Sequence, residues 1–370
     1  MTNVDTITNQ DLEYICKALN FEFTNLSGNN LLITGGAGFL GYYLIQSTLY
    51  WNTKKSSSSA IKITLLDNFI RGVPNWLTQL SNNPHLSIIN HDITQPLPDN
   101  MDNFQYIIHA ASIASPTYYR KYPIQTMDAN VNGLRYLLDY SLEQKEFGAG
   151  PKGFLFYSTS EIYGDPPQEY IPTPEDFRGN VSCTGPRACY DESKRFGETL
   201  CVNYARQYEL PITIARPFNN YGPGLKITDK RVIPDFARDI LSGQNIVMFS
   251  NGSPTRTFCY TADAIIGYYK ILTRGTPGHA YNIGVDSPEI SIKDLAELLV
   301  KEARDLFGYK GSIINKTNPD QNYLTDNPNR RCPDISKARK ELDYNPGISL
   351  EEGMHNSLIW YYYNQQAEEE

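Results

Sequence analysis

Tyr190 and Lys194, in the segment CYDESKR, are the pair with the most evident chemistry in this chain. A YxxxK spacing at the start of a helix puts both side chains on one face, i to i+4. A nearby ammonium favours the phenolate and lowers the tyrosine's pKa. Such a tyrosine can accept a proton from an alcohol. A second group of reactive side chains, Ser158, Thr159, Ser160 and Glu161, follows the apolar run GFLFY. Ligands bind at the carboxyl ends of strands in open α/β sheets, so Thr159 or Ser160 can hold the reacting hydroxyl.

The segment LLITGGAGFLG supplies what a proton acceptor of this kind works beside. Gly35, Gly38 and Gly41 stand three apart after an apolar run, and Gly36, Gly38 and Gly41 complete a GxGxxG. Glycines let the turn close tightly and let the backbone approach a pyrophosphate. The next helix then points its free N–H groups and positive dipole end at the phosphates. Phe39 and Leu40 carry that loop into the helix. Asp67 ends the second apolar run, ITLLD, where a carboxylate accepts hydrogen bonds from ribose hydroxyls and repels an extra 2′-phosphate. It lies beyond the usual ~20 residues from the glycines, and the insertion NTKKSSSS accounts for the excess. Asn68, Asp92, Ile93 and Ala110 follow strand ends on the same side, and Asp92 is placed to meet an adenine amine or to cap its loop. NAD is therefore the expected cofactor, although Arg71 is close enough in sequence to receive a 2′-phosphate. The nicotinamide's positive charge would further favour the Tyr190 phenolate.

These positions require a parallel sheet. Runs at Leu31–Thr34, Ile61–Leu66, Leu86–Asn90, Tyr106–Ala110, Gly153–Tyr157 and Pro211–Ala215 read as strands. Helical patterns at Phe39–Tyr50, Val131–Leu142 and Asp191–Tyr208 separate some of them. The alternation predicts an α/β fold, a Rossmann-type doubly wound parallel sheet with a smaller C-terminal substrate lobe. Residues 29–217 form mainly the NAD-binding domain. Residues 218–365 form mainly the lobe, with some return to the first domain and helices at Val232–Leu241, Ile292–Leu306 and Leu350–Tyr361. Residues 1–28 read as a leader with a short helix, from the spacing of Leu12, Ile15, Cys16 and Leu19. Residues 366–370 are a tail, and no internal repeat is visible.

The net charge of −8 over 370 residues argues against nucleic acid as the main partner. No run approaches ~18 apolar residues, so no membrane span is expected. The N-terminus does not read as a signal peptide. The six cysteines and five histidines lack CxxC, HxxH and HExxH spacings. They are expected to be reduced thiols and ordinary histidines of a cytoplasmic protein, without a metal site.

The segments GGAGFLG, LDNF, HAASIASPTYY, STSEIYGDP, GPRACYDESKR, RPFNNYGP, GSPTRTF and RRCPDI together resemble the extended short-chain dehydrogenase/reductases. Within them the chain is most similar to the UDP-glucuronate decarboxylases, over roughly residues 29–365. The resemblance implies a homodimer acting on a nucleotide sugar by decarboxylation through a 4-keto intermediate, with NAD regenerated. Related 4-epimerases and 4,6-dehydratases are the nearest alternative, and a non-catalytic dinucleotide-binding protein the remote one. It also implies roles for Glu161 in the Thr-Ser-Glu triplet and for Arg256 near the sugar carboxylate, or near a water that protonates C5. Tyr119, Asn219, Arg231 and Arg331 are implied as substrate contacts. Tyr42, Tyr43, Ile113, Gly224 and Pro254 depart from the family pattern, which usually has Ser-His, Pro, Arg and Gln there.

Overall fold

The computed structural model describes residues 4–99, 101–317, 325 and 327–364. Seven strands form its central sheet: β1 (Asn30–Thr34), β2 (Lys62–Asp67), β3 (Leu86–Asn90), β4 (Tyr106–His109), β5 (Gly153–Tyr157), β6 (Ile212–Pro217) and an edge strand, Ala280–Ile283. Their order is Ala280–Ile283, β6, β5, β4, β1, β2, β3, and every neighbouring pair is parallel. β4 and β5 are buried along their whole length. Strands covered on both faces read as continuous apolar runs rather than as alternating ones, which is the pattern of YIIH and GFLFY. The chain reverses direction across the sheet at β1 and β4. The crevice beyond their carboxyl ends is the place such a fold offers a ligand. The fold is thus the expected α/β, Rossmann-type one.

Several helices differ from their expected bounds for local reasons. The helix carrying the YxxxK pair runs from Ala188 to Tyr208 and starts a turn early, putting Tyr190 in its first turn. The expected helix from Val131 opens instead with a π-type turn, Ala129–Gly133, and continues as Leu134–Glu146. A Cβ on Gly133 would stand 3.0 Å from Ile93 atoms, so the tight approach there requires glycine. The helix Thr261–Arg274 has no counterpart in the sequence reading. It is buried on nearly every side. It packs against β5 and β6 and leads into the edge strand, returning the chain to the sheet.

After residue 217 the chain adds the helices Val232–Leu241, Ile292–Phe307 and Leu350–Asn364. A three-stranded ribbon sets Thr255–Arg256 between Ile290–Ser291 and Arg330–Arg331. Ser291 and Asp294 form a reciprocal capping box that starts the helix Ile292–Phe307.

The leader forms two helices, α1 (Val4–Ala18) and α2 (Asn20–Leu26). Ile7, Leu12, Ile15, Leu19, Phe23 and Leu26 are buried. α1 packs on α3 (Gly41–Asn52), the helix that follows the glycine loop. The expected tail, 366–370, lies outside the described residues. Among those described, no helix is long and apolar enough to cross a membrane, and no cluster of side chains is arranged to hold a metal ion.

Candidate active site

One cavity of about 2020 Å³ runs along the carboxyl edge of the sheet. A single small ligand takes ~300–1,000 Å³, so there is room for two. Every candidate residue from the sequence lines it: Gly35, Gly38, Phe39, Leu40, Asp67, Asn68, Asp92, Ile93, Ala110, Tyr119, Thr159, Ser160, Glu161, Tyr190, Lys194, Asn219, Arg231, Arg256 and Arg331.

The dinucleotide end is built by β1, β2 and α3. Gly35 has φ +72°, and a Cβ there would lie 2.5 Å from the Cα of Ala111. Only glycine lets the loop close against the end of β4. A Cβ on Gly41 would stand 1.9 Å from the Gly36 carbonyl oxygen, so α3 begins tight against the loop. Asp67 accepts hydrogen bonds from the backbone N–H of Ala37 (3.0 Å) and of Phe69 (2.9 Å), fixing the loop from the next strand. Burial raises its pKa against the pull of those N–H groups. Arg71 is paired at 3.0 Å with Asp229, a carboxylate it shares with Arg231, and lies over the Tyr118 ring. Asp92 accepts the N–H and hydroxyl of Thr94 and the Asn68 amide, so it does cap its loop. The cavity passes without a break from Asp67 and Asp92, past the glycine loop, to Tyr190 and Lys194. That elongated form, with a helix N-terminus at its middle, fits a dinucleotide.

At the reacting end Tyr190 and Lys194 are buried together. Lys194 donates its Nζ proton to the Tyr157 carbonyl at 2.7 Å, not to the phenol. Burial pushes its pKa down to about 7. Burial pushes Tyr190 up, with Thr159 as the hydrogen-bond partner that opposes it. This corrects the expectation of a tyrosine already lowered by its lysine: in the protein alone desolvation wins. Thr159 caps the turn Ser160–Tyr163 by accepting the Glu161 N–H at 3.2 Å. Tyr119 stacks on Tyr190 with ring centroids 4.9 Å apart and planes 7° from parallel, and its hydroxyl has no partner among the described residues.

Next to that pair lies a cluster of charges. Glu161 is gripped by Arg331 through both Nη atoms, one at 2.7 Å, and by Arg187 Nη2. Burial would raise its carboxyl, but Arg187 and Arg331 overcome this and hold it at about 2. Arg256 stands beside Arg331 in the ribbon register. Its Nη atoms donate to the carbonyls of Thr255, Asn329 and Pro328 and to Asn327 Oδ1. Burial, then the neighbouring Arg331, push it down to about 9. Arg331, expected as a substrate contact, is therefore bonded to Glu161, while both Nη atoms of Arg256, expected at the sugar carboxylate, are engaged by the loop 327–329 and the Thr255 carbonyl. Arg231 is paired with Asp229 and covers the Phe39 ring. Asn219 has φ +39° and donates to the Thr257 carbonyl at 2.9 Å. Sequence reasoning missed Arg187. Its signal was its position three residues before Tyr190, inside the quoted segment GPRACYDESKR.

The chain matches the NAD dependent epimerase/dehydratase family over residues 31–284. Its similar relatives include UDP-glucuronic acid decarboxylase 3 of Arabidopsis thaliana, 36% identical over 324 residues, which are 88% of this chain and 86% of the relative. UDP-glucuronic acid decarboxylase 1 of Xenopus tropicalis is 35% identical over 334 residues, 90% of this chain and 72% of the relative. Among solved structures, the dTDP-glucose 4,6-dehydratase DesIV of Streptomyces venezuelae, with NAD bound, has the same fold at a TM-score of 0.77 and 23% identity, covering 91% of this chain and 98% of that one.

Proposed function

The chain belongs to the NAD dependent epimerase/dehydratase family, and from that premise we propose that it converts UDP-glucuronate to UDP-xylose and CO2 through a 4-keto intermediate. The observation that carries the reading is the charge beside Tyr190. Arg187, Arg256 and Arg331 converge there on one cavity-lining carboxylate, Glu161. Asp191, behind Arg187 at 3.8 Å, offsets a second charge. Asp165 acts on Arg256 as well, and the guanidiniums that line the cavity offer charge-assisted donors that a uronate carboxylate matches and a neutral hexose does not.

The glycine loop, Asp67 and Lys194 would hold NAD, which when bound supplies a reversible hydride acceptor. Tyr190 takes the proton of the C4 hydroxyl, with Thr159 fixing the phenol. Oxidation at C4 leaves the carboxylate β to a ketone. The C–C bond to the carboxylate then breaks, its electrons passing into the ketone as an enolate, and a proton taken up from solvent at C5 restores the ketone. The arginine cluster keeps the carboxylate ionised and in place until it leaves. Tyr190 returns its proton to the C4 oxygen when the ketone is reduced again, so no second redox substrate is needed. Asp67 facing the ribose, with Arg71 already paired, supports NAD over NADP.

Two further parts of the proposal concern assembly and place. The exposed side chains of Ile124, Met127 and Phe196 lie on two helices that pack together, Pro123–Asp128 and Ala188–Tyr208, and support a homodimer through that face. Six cysteines without a disulfide among them support the cytoplasm.

Incubation of the purified protein with NAD and UDP-glucuronate should yield UDP-xylose and CO2 by mass spectrometry. Tyr190→Phe should lower turnover ~10²–10⁴-fold. A product isomeric with the substrate, without CO2, would replace this reading by the epimerase alternative.

A further inference from the structure

We propose that segment 226–231 closes over the dinucleotide as a clasp with Arg71 as its catch, so that exchange of NAD waits on the release of Arg71. The inference rests on NAD lying along the cavity and holds whichever sugar is transformed. It starts from the order of the strands. Asp67 ends β2, Ser115 follows β4, and β1 with its glycine loop lies between those two strands. A dinucleotide with its ribose at Asp67 and its reactive end at Tyr190 must cross the end of β1. Segment 226–231 joins the two sides across that same edge.

Three hydrogen-bonded turns meet there. The N–H of Gly72 donates to the Phe69 carbonyl at 2.8 Å, that of Tyr118 to Ser115 at 2.9 Å, and that of Asp229 to Lys226 at 3.0 Å. On the β2 side, Arg71 Nη1 donates to Asp229 Oδ2 at 3.0 Å, and Lys226 Nζ to the Arg71 carbonyl at 2.8 Å. On the β4 side, Ser115 Oγ donates to the Asp229 carbonyl at 2.9 Å. Between them the chain rests on the glycine loop. Arg231 covers the Phe39 ring, and a Cβ on Gly224 would stand 2.8 Å from the Phe39 carbonyl oxygen. Arg71, Ser115, Tyr118, Lys226, Asp229 and Arg231 all line the cavity. The two sides differ in how firmly they hold. The Asp229 side chain is buried and Ser115 is 4% exposed, whereas the Arg71 side chain is 39% exposed. A pair with one partner in solvent is weakly held. Asp229 also keeps Arg231 as a partner when Arg71 leaves. The β2 side is therefore the side that opens. Retention suits the proposed reaction, since a reduced cofactor that escaped could not return its hydride.

The test reads cofactor exchange rather than turnover. NADH is followed by its fluorescence in stopped flow, association on mixing and dissociation on displacement by excess NAD. Arg71→Ala should raise both rate constants about three- to tenfold, between the loss of an exposed ion pair and that of a charge-assisted hydrogen bond. Because a catch obstructs entry and exit alike, the Kd should stay within about twofold. Arg71→Lys, which keeps a cationic donor for Asp229, should exchange within about twofold of the wild type. Ser115→Ala, on the opposite side of the clasp, should also raise both rates, by about twofold or more. Thermal melting checks the fold of each variant. A rise in dissociation alone, with the Kd rising in step, would make Arg71 a contact of the cofactor and overturn the proposal. So would unchanged rates in Arg71→Ala and Ser115→Ala, which would show that NAD passes by another route. Release of CO2 from UDP-glucuronate by the wild type is scored separately, so the clasp and the proposed reaction stand or fall independently.

Discussion

Two carboxylates far apart in sequence, Glu161 and Asp11, are withdrawn from solvent, and the protein treats them in opposite ways. Glu161, in the cavity, has guanidiniums on both oxygens and is held at about 2. Asp11, on α1, is 3% exposed and accepts only phenols, Tyr43 at 2.5 Å and Tyr260 at 2.7 Å. Burial pushes Asp11 up to about 6, and its nearest charges, Glu352 and Asp263, add to the rise. At Asp11 the two phenols only moderate the desolvation, whereas at Glu161 the guanidiniums reverse it. The cluster at Glu161 is thus a charged receptor. The Asp11 network is a latch that joins α1 to α3 through Tyr43 and to the start of the helix Thr261–Arg274 through Tyr260, and it holds most easily when protonated.

The sharpest way to break the contrast is Glu161→Gln. Removing one member of a buried ionic cluster leaves the rest uncompensated, at ~3–5 kcal/mol. Denaturant unfolding at pH 7 should show that loss. A cost under about 1 kcal/mol, the scale of an exposed pair, would mean that the cluster is solvated and does not work as described.

A smaller effect, opposite in sign along the pH axis, belongs to Asp11. Its folded pKa lies above the unfolded 3.8. Its contribution is therefore complete below pH ~4 and is lost as pH rises through about 6, by up to ~3 kcal/mol. Glu161 runs the other way, contributing fully above its unfolded value and losing that contribution as pH falls towards about 2. Unfolding free energies measured at pH 5 and pH 8 should show the wild type losing stability at the higher pH. Asp11→Asn should be nearly flat over that interval. If the variant keeps the wild-type slope, some other group titrates.

The smallest change is Tyr43→Phe, which removes one of the two phenols. It should cost ~1 kcal/mol at pH 5 and move the pH at which stability falls to a higher value, because Asp11 then loses a donor that favours its ionised form. A shift to lower pH in the same unfolding series would show that Tyr43 is not what moderates Asp11.

Much of the cavity was legible because its chemistry is local in sequence. Gly35, Gly38 and Gly41 sit in one loop, Thr159 to Glu161 in one turn, Tyr190 and Lys194 on one helix turn. The arginines were not legible in the same way. Arg187, Arg256 and Arg331 lie far apart along the chain, and which are engaged by Glu161 and which by carbonyls depends on the ribbon register and on the loop 327–329. The helix Thr261–Arg274 went unread although Ile265, Tyr268, Tyr269 and Leu272 recur along it at helical spacing. The leader's apolar spacing announced a helix, but nothing in it announced that Asp11 would be buried between two tyrosines some 30 and 250 residues away.

By itself, then, the sequence determined the α/β fold, the dinucleotide loop and the tyrosine–lysine pair, because each rests on backbone geometry or on spacing within a few residues. Tertiary structure alone decided the state of the charges. A carboxylate's pKa depends on burial and on which cations come within a few ångströms, and those neighbours are assembled from distant segments only when the sheet, the ribbon and α1 have packed.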